Sequence, residues 1–222
     1  VADHGEASDP VARAKFQLAG ALPQTGGDFD EALRLGREVH EIDRGAYGEE
    51  HPETARSLAL VAIHLRYVER YEEAEVAFRD ATATLTRHYG AENAETAEVR
   101  SHHAAVLEIL GRHDEAIAEM ERSLAALEKA LGPRHPLVGR TQVKVASLYS
   151  RRDRHADAEV LLGKCAANMR DIGNREEGDC LRMLGRILTE MPGRGEEAKA
   201  ALTRPVEILS SGDAKDPYLL NA

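Results

Sequence analysis

Apolar residues along this chain recur at steps of three and four, and the recurrence itself repeats. Leu58, Val61, Ala62 and Leu65 fall on one helical stripe, and Ala74, Phe78, Ala81 and Leu85 on the next. The same pattern returns in Ala104, Leu107, Ala116, Met120 and Leu127, then in Val145, Ala146, Tyr149, Ala158, Leu162 and Met169. These stripes predict helices over about 52–68, 71–88, 94–110, 113–131, 136–150 and 154–171. Counting back by one period predicts two earlier helices, over about 10–22 and 28–44.

The punctuation between stripes is periodic too. Gly48, Gly90 and Gly132 are 42 residues apart, as are Ala74, Ala116 and Ala158. The turns read Arg70-Tyr71-Glu72-Glu73-Ala74, Arg112-His113-Asp114-Glu115-Ala116 and Arg154-His155-Ala156-Asp157-Ala158. A fixed period of this size means stacked like units, each burying its apolar face on its neighbours. The expected organisation is a frayed 1–8, an array over 9–210, and 212–222 as the start of a further unit or a tail. The units run over about 9–47, 48–89, 90–131, 132–173 and 174–211. Asp9 caps the first helix with Pro10 at its first position, and Pro23 with Gly26-Gly27 ends it.

The fifth unit is looser. Leu181, Leu184, Gly185 and Leu188 mark its first helix and Arg194-Gly195-Glu196-Glu197-Ala198 opens its second, but Ala198 follows Ala158 by 40 residues. Pro205 is expected to break or kink that helix near Arg204. Asp216-Pro217-Tyr218-Leu219-Leu220 reads as the opening of another unit or as a short capping turn.

Composition narrows the chemistry. The chain is 42% hydrophobic, only 4% aromatic and without Trp, which suits close-packed helices built from small residues. A net charge of −10 argues against non-specific nucleic-acid binding. Cys165 and Cys180 have no metal-ligand spacing and are read as small fillers inside helices rather than as a disulfide framework. No run is long and apolar enough to span a membrane, so the expectation is a soluble, cytoplasmic protein with no membrane contact.

Catalytic and metal readings find no anchor. The acidic pairs Asp30-Glu31, Glu72-Glu73, Asp114-Glu115 and Glu196-Glu197 open second helices, where negative charge complements the helix dipole. His102 and His103 point about 100° apart on a helix and do not face one ion, while His51 and His135 sit where helix caps belong. No phosphate loop, zinc-protease or hydrolase motif occurs. No catalytic residue, metal or cofactor is therefore expected.

Taken together, these residues resemble the tetratricopeptide repeat, in a lengthened form similar to the kinesin light chain repeats. Unit two meets the family signature with Leu58, Ala62, Leu65, Tyr71, Ala74, Phe78 and Ala81, and Glu69 stands where the family has Gly. The resemblance implies an all-α, right-handed α-solenoid of about five helix-turn-helix hairpins. It also implies close approach of paired helices at Gly20 with Ala32, Ala62 with Ala74, Ala104 with Ala116 and Ala146 with Ala158. The Asn-Asn pair that holds peptide backbone in kinesin light chain repeats is replaced by Ala59-Leu60, Ser101-His102 and Val143-Lys144.

Carried over residue by residue, the groove-lining positions are Arg56, Ile63, Arg66 and Tyr67, then Ser101 and Glu108, then Arg140, Val143, Ser147 and Arg151, and finally Arg182 and Arg186. The function implied is a non-enzymatic protein-interaction module in a larger regulatory or signalling protein. Its expected ligand is an acidic or carboxylate-bearing peptide lying against Arg66, Arg140 and Arg151, with Tyr67 and Ile63 in apolar contact. The alternative is a self-associating scaffold that stacks through its terminal repeats. A third reading is the sensor or adaptor segment of an enzyme whose catalytic domain lies outside this chain.

Overall fold

A computed structural model describes residues 10–22, 28–170 and 174–210, with side chains over 12–22, 28–170 and 175–203. The expected cap at Asp9, the helix stop at 23–27 and the segment 211–222 lie outside the described residues. Among those described, every element is helical, and the chain divides into two compact units, Val1–Arg112 and His113–Ala222.

The first unit holds α1 (Pro10–Ala21), α2 (Phe29–Tyr47), α3 (Pro52–Tyr67), α4 (Tyr71–Tyr89) and α5 (Ala94–Ile109), each packed on the next. Its core joins Leu33, Ala55, Ala59, Val61, Ala62, Leu65, Ala74, Phe78, Ala81, Leu85, Val99 and Val106. The expected stripes are thus inside. The pairing of small residues holds for Ala62 with Ala74, both fully buried in this cluster. It does not hold for Gly20, where an added Cβ would meet nothing within 4 Å, so the α1–α2 pair has room there that later hairpins lack.

The periodic residues act through backbone geometry. Gly48, Gly90 and Gly132 have φ of 88°, 87° and 83°, a region open to glycine, and each N–H closes the preceding helix, as Gly48 does on the Arg44 carbonyl at 3.0 Å. His51 and His135 then cap the next helices, their Nδ1 atoms accepting from the N–H groups of Glu53 at 3.1 Å and Leu137 at 3.2 Å. A second recurrence sits inside each hairpin. Glu69, Gly111 and Asp153 all have positive φ, and the N–H of the following arginine reaches back five residues, as Arg70 does to Leu65 at 2.8 Å. That arginine also pairs with an acid three residues on, Arg70 with Glu73 at 2.6 Å and Arg154 with Asp157 at 2.7 Å. The turn grammar in the sequence is therefore a helix stop and an ion-paired helix start in one string.

His64 lies fully buried in α3, its Nδ1 about where a side chain on Gly36 of α2 would go. Burial holds its pKa below the ordinary 6.5, with a hydrogen bond to the Ala19 backbone acting in the opposite sense. The unfolded chain then binds the proton first as pH falls below about 6.5. Stability from this site is complete above that value and is lost as pH falls towards the lowered folded pKa, by at most about 1.4 kcal/mol per pH unit. Thermal melts of wild type and His64→Gln at pH 7.5 and 5.5 should show a steeper acid loss in wild type. Parallel behaviour would remove this account.

The second unit holds α6 (His113–Leu131), α7 (Pro136–Ser150), α8 (His155–Met169), α9 (Asn174–Glu190) and α10 (Gly195–Ser210). Neighbours pack in order, and α9 also touches α7. Of the break or kink expected near Arg204, the break does not occur: α10 runs through Pro205 to Ser210, in a helix anchored by buried Ala198. Close approach in this pair falls to Gly185, where a Cβ would lie 2.5 Å from Leu202.

The cysteines correct the sequence reading. Cys165 of α8 and Cys180 of α9 form a disulfide, with Cα atoms 5.9 Å apart, inside a cluster that includes Ala146, Ala158, Leu162, Met169, Met183 and Ile187. Their spacing of 15 residues matches no sequence motif. The two thiols face each other because consecutive helices pack there, which composition does not reveal.

Candidate functional site

The groove positions of the first unit behave unequally. Arg56, on α3, is committed within the chain: its guanidinium pairs with Glu53 and with Glu95 of α5, the latter at 2.7 Å, and lies 5.5 Å from the Tyr89 ring centre. Hydrogen bonding to Glu95 raises its pKa, against the opposing effect of burial. It ties α3 to α5 and is not free to take a ligand. Ser101 is 4% exposed, because its face of α5 turns inward, so it is not an accessible wall residue. Ile63 and Glu108 are half-buried.

Arg66 and Tyr67 make a more open feature at the end of α3. The Arg66 guanidinium lies 4.6 Å over the Tyr67 ring, which stacks on Phe29 of α2 with centroids 4.9 Å apart. Tyr67 is 45% exposed, so one cation and two rings reach the surface together. Sequence reasoning placed Arg66 and Tyr67 on the wall but missed Phe29. That phenylalanine occupies the turn position held by Tyr71 in the next unit, which is the signal that could have found it.

In the second unit four of the expected residues converge. Arg140 and Val143 of α7 and Arg182 and Arg186 of α9 line one cleft of about 350 Å³, with Gly139, Glu176, Asp179 and Met183. Gly139 lets α8 approach α7 beneath the cleft; a Cβ there would come within 2.9 Å of the Met169 sulfur. Arg182 is paired with Asp179. Among the described residues no carboxylate pairs with Arg140, and Arg186 donates only to the Met183 sulfur, at 2.9 Å. Ser147 is half-buried further along α7, and Arg151 is exposed at its C-terminal end, roughly 16 Å along the helix from Arg140. The arginines that share a cleft with Arg140 are thus Arg182 and Arg186, and Arg151 is not among its lining residues.

The cations of a second cleft are paired within the chain. A larger cleft of about 600 Å³ beside α2 is lined by Lys15, Arg34 and Arg37, but these pair with Glu38 at 2.6 Å, Glu31 at 2.5 Å and Glu73 at 3.9 Å. Tyr149 is similarly engaged. Burial, together with its 2.5 Å bond to Glu121, pushes its pKa up to about 12, and Arg154 covers its ring at 4.0 Å.

One constellation superficially suggests catalysis. His40 Nδ1 stands 3.4 Å from Ser57 Oγ, with buried Asp43 nearby, its pKa raised by burial. The hydroxyl is fully buried, within hydrogen-bond reach of the Glu53 carbonyl at 3.2 Å and the Thr54 carbonyl at 3.1 Å of its own helix, and it also bonds to Asp43. A serine so placed packs α2 against α3 and presents no nucleophile to a substrate. Among the described residues no group of three or more His, Cys, Asp or Glu is arranged to hold a metal, and no helix is long and apolar enough to cross a membrane.

Comparison with known proteins completes the picture. The tetratricopeptide repeat family model matches residues 10–87 and 95–171. Nearly identical TPR-like repeats of a putative kinesin light chain from Podosopora anserina superpose with a TM-score of 0.80 at 21% identity, covering 90% of this chain and 96% of that one. BtubC (BKLC) from P. vanneervenii gives 0.76 at 16% identity, over 90% and 87%. YrrB, a TPR protein with an unusual peptide-binding site, gives 0.57 at 14% identity, over 90% and 88%. Such identities speak for the shared fold alone. No curated protein matches the chain.

Proposed function

The chain belongs to the tetratricopeptide repeat family, and from that premise we propose that it holds a carboxylate-bearing segment of a partner protein in the α7–α9 cleft. Repeats of this family are general protein-interaction modules, usually without catalysis of their own. The observation that carries the reading is the pair Arg140 and Arg186. In a chain of net charge −10, where Arg34, Arg56, Arg70, Arg79, Arg87, Arg122, Arg154 and Arg194 are all ion-paired internally, these two face a cleft with no carboxylate partner among the described residues.

Guanidinium groups in that position recognise planar carboxylates, and Val143 with Met183 supplies apolar floor between them. Glu176 and Asp179 at the edge set a direction, repelling acidic residues from one end of the cleft. In the first unit Arg66, Tyr67 and Phe29 offer a smaller patch of the same character, a cation beside exposed rings. The ligand favoured is a peptide alternating acidic and apolar side chains, bound by side-chain chemistry in place of an asparagine ladder.

Fluorescence anisotropy with a labelled twelve-residue peptide of alternating Glu and Leu tests this. The acidic peptide should bind, weaken with added salt, and lose at least about tenfold in affinity to Arg140→Glu/Arg186→Glu, in keeping with the loss of charge-assisted bonds. Unchanged binding by that variant, or equal binding of a Lys-Leu peptide, would remove the reading.

A further inference from the structure

We infer that the Cys165–Cys180 disulfide is a redox-dependent latch that keeps α9, and with it one wall of the α7–α9 cleft, ordered against α8. The inference rests on the reading of that cleft as a binding wall for its functional meaning, and on geometry for its structural part. Helix α9 carries Cys180 and, in the next two turns, Arg182, Met183 and Arg186, all of which line the cleft. Met183 belongs both to the cleft lining and to the buried cluster around the disulfide. On the opposite side, Met169 lies in that cluster and presses on Gly139, the α7 residue at the cleft floor. The covalent bond therefore joins the one helix that contacts α7, α8 and α10 to the helix before it, at the level of the cleft.

Reduction would act on this geometry in a defined way. A dithiol supplies two electrons and two protons, the Sγ–Sγ bond breaks to give two thiols, and the reagent leaves as its own disulfide. Both sulfurs are fully buried, so attack requires α9 to lift from α8 first, and reduction of the native protein is gated by that opening. Once reduced, α9 is held by packing of Leu181, Ile187 and Leu188 without the covalent tie. The chain-entropy value of a closed segment of this length corresponds to a change in opening equilibrium on the order of a hundredfold. A chain kept in a reducing compartment would then carry a looser cleft than one kept in an oxidising compartment.

The test is amide hydrogen exchange on the full chain, oxidised, reduced with dithiothreitol, and as Cys165→Ala/Cys180→Ala. Protection of α7 serves as the control that the second unit remains folded. Amides of 181–190 should exchange on the order of a hundred times faster in the reduced protein and in the variant. Affinity for the Glu-Leu peptide should fall at least tenfold in parallel. Equal α9 exchange in all three samples overturns the latch. Faster exchange with unaltered affinity overturns its coupling to the cleft. Should the peptide bind neither redox form, the reading of the cleft fails, and the exchange comparison still decides whether the disulfide orders α9.

Discussion

Phe78→Ala should unfold the first unit at temperatures the wild type tolerates, at a cost of about 3–5 kcal/mol. Phe78 is fully buried on α4, at the centre of a cluster that takes in residues of α2, α3, α4 and α5. The rings beside it, His102 at 6.1 Å and His103 at 6.5 Å between centroids, are imidazoles fixed on α5. The surrounding residues are mainly alanine, valine and leucine, whose short side chains cannot reach across the space of a lost phenyl group. Chemical denaturation followed by hydrogen exchange across residues 29–109 gives the reading. A loss below about 1 kcal/mol would mean that the cluster collapses around the gap and that Phe78 is not its keystone.

Ala62→Leu tests the opposite limit. Ala62 and Ala74 face each other's helices with no exposed surface, so α3 and α4 approach at a distance that leaves no volume for three more carbons. Overpacking should cost about 1–3 kcal/mol, through shifts in α4 or off-rotamer leucine. The contrasting substitution is Gly20→Ala, at the corresponding place in the α1–α2 pair. Nothing lies within 4 Å of an added Cβ there, and the melting temperature should hold or rise. Comparing the two melts separates close approach from mere helix propensity; equal responses would refute the packing argument.

The contrast between these sites shows what could be read from the chain. Period, helix bounds and inward stripes were legible because each depends on local spacing: His51 caps where a cap was expected, and α6 and α7 span 113–131 and 136–150 as predicted. Gly20 misled because an added Cβ there meets nothing within 4 Å, so α1 and α2 are not pressed together at that point as α3 and α4 are at Ala62. Long-range pairing was not legible. Nothing adjacent to Arg56 in sequence announces Glu95, 39 residues on, and nothing near Cys165 announces Cys180. Of the groove positions carried over from the family, Arg140, Val143, Arg182 and Arg186 line one cleft although they stand at different places in the repeat. Ser101 is buried on α5, and Arg56 is held by Glu53 and Glu95.

The hairpin tips at Glu69 and Asp153 carry one more implication. Their left-handed backbone is demanded by the turn rather than by the residue, since Gly111 adopts it in the intervening hairpin, and both carboxylates point into water. The side chains there take no part in core packing, and the backbone sets the remaining preference, which β-branched residues meet poorly. A fluorophore, spin label or surface tether attached at 69 or 153 would report on the α3–α4 or α7–α8 hairpin from outside, leaving the oily interior and the arginine-lined wall undisturbed.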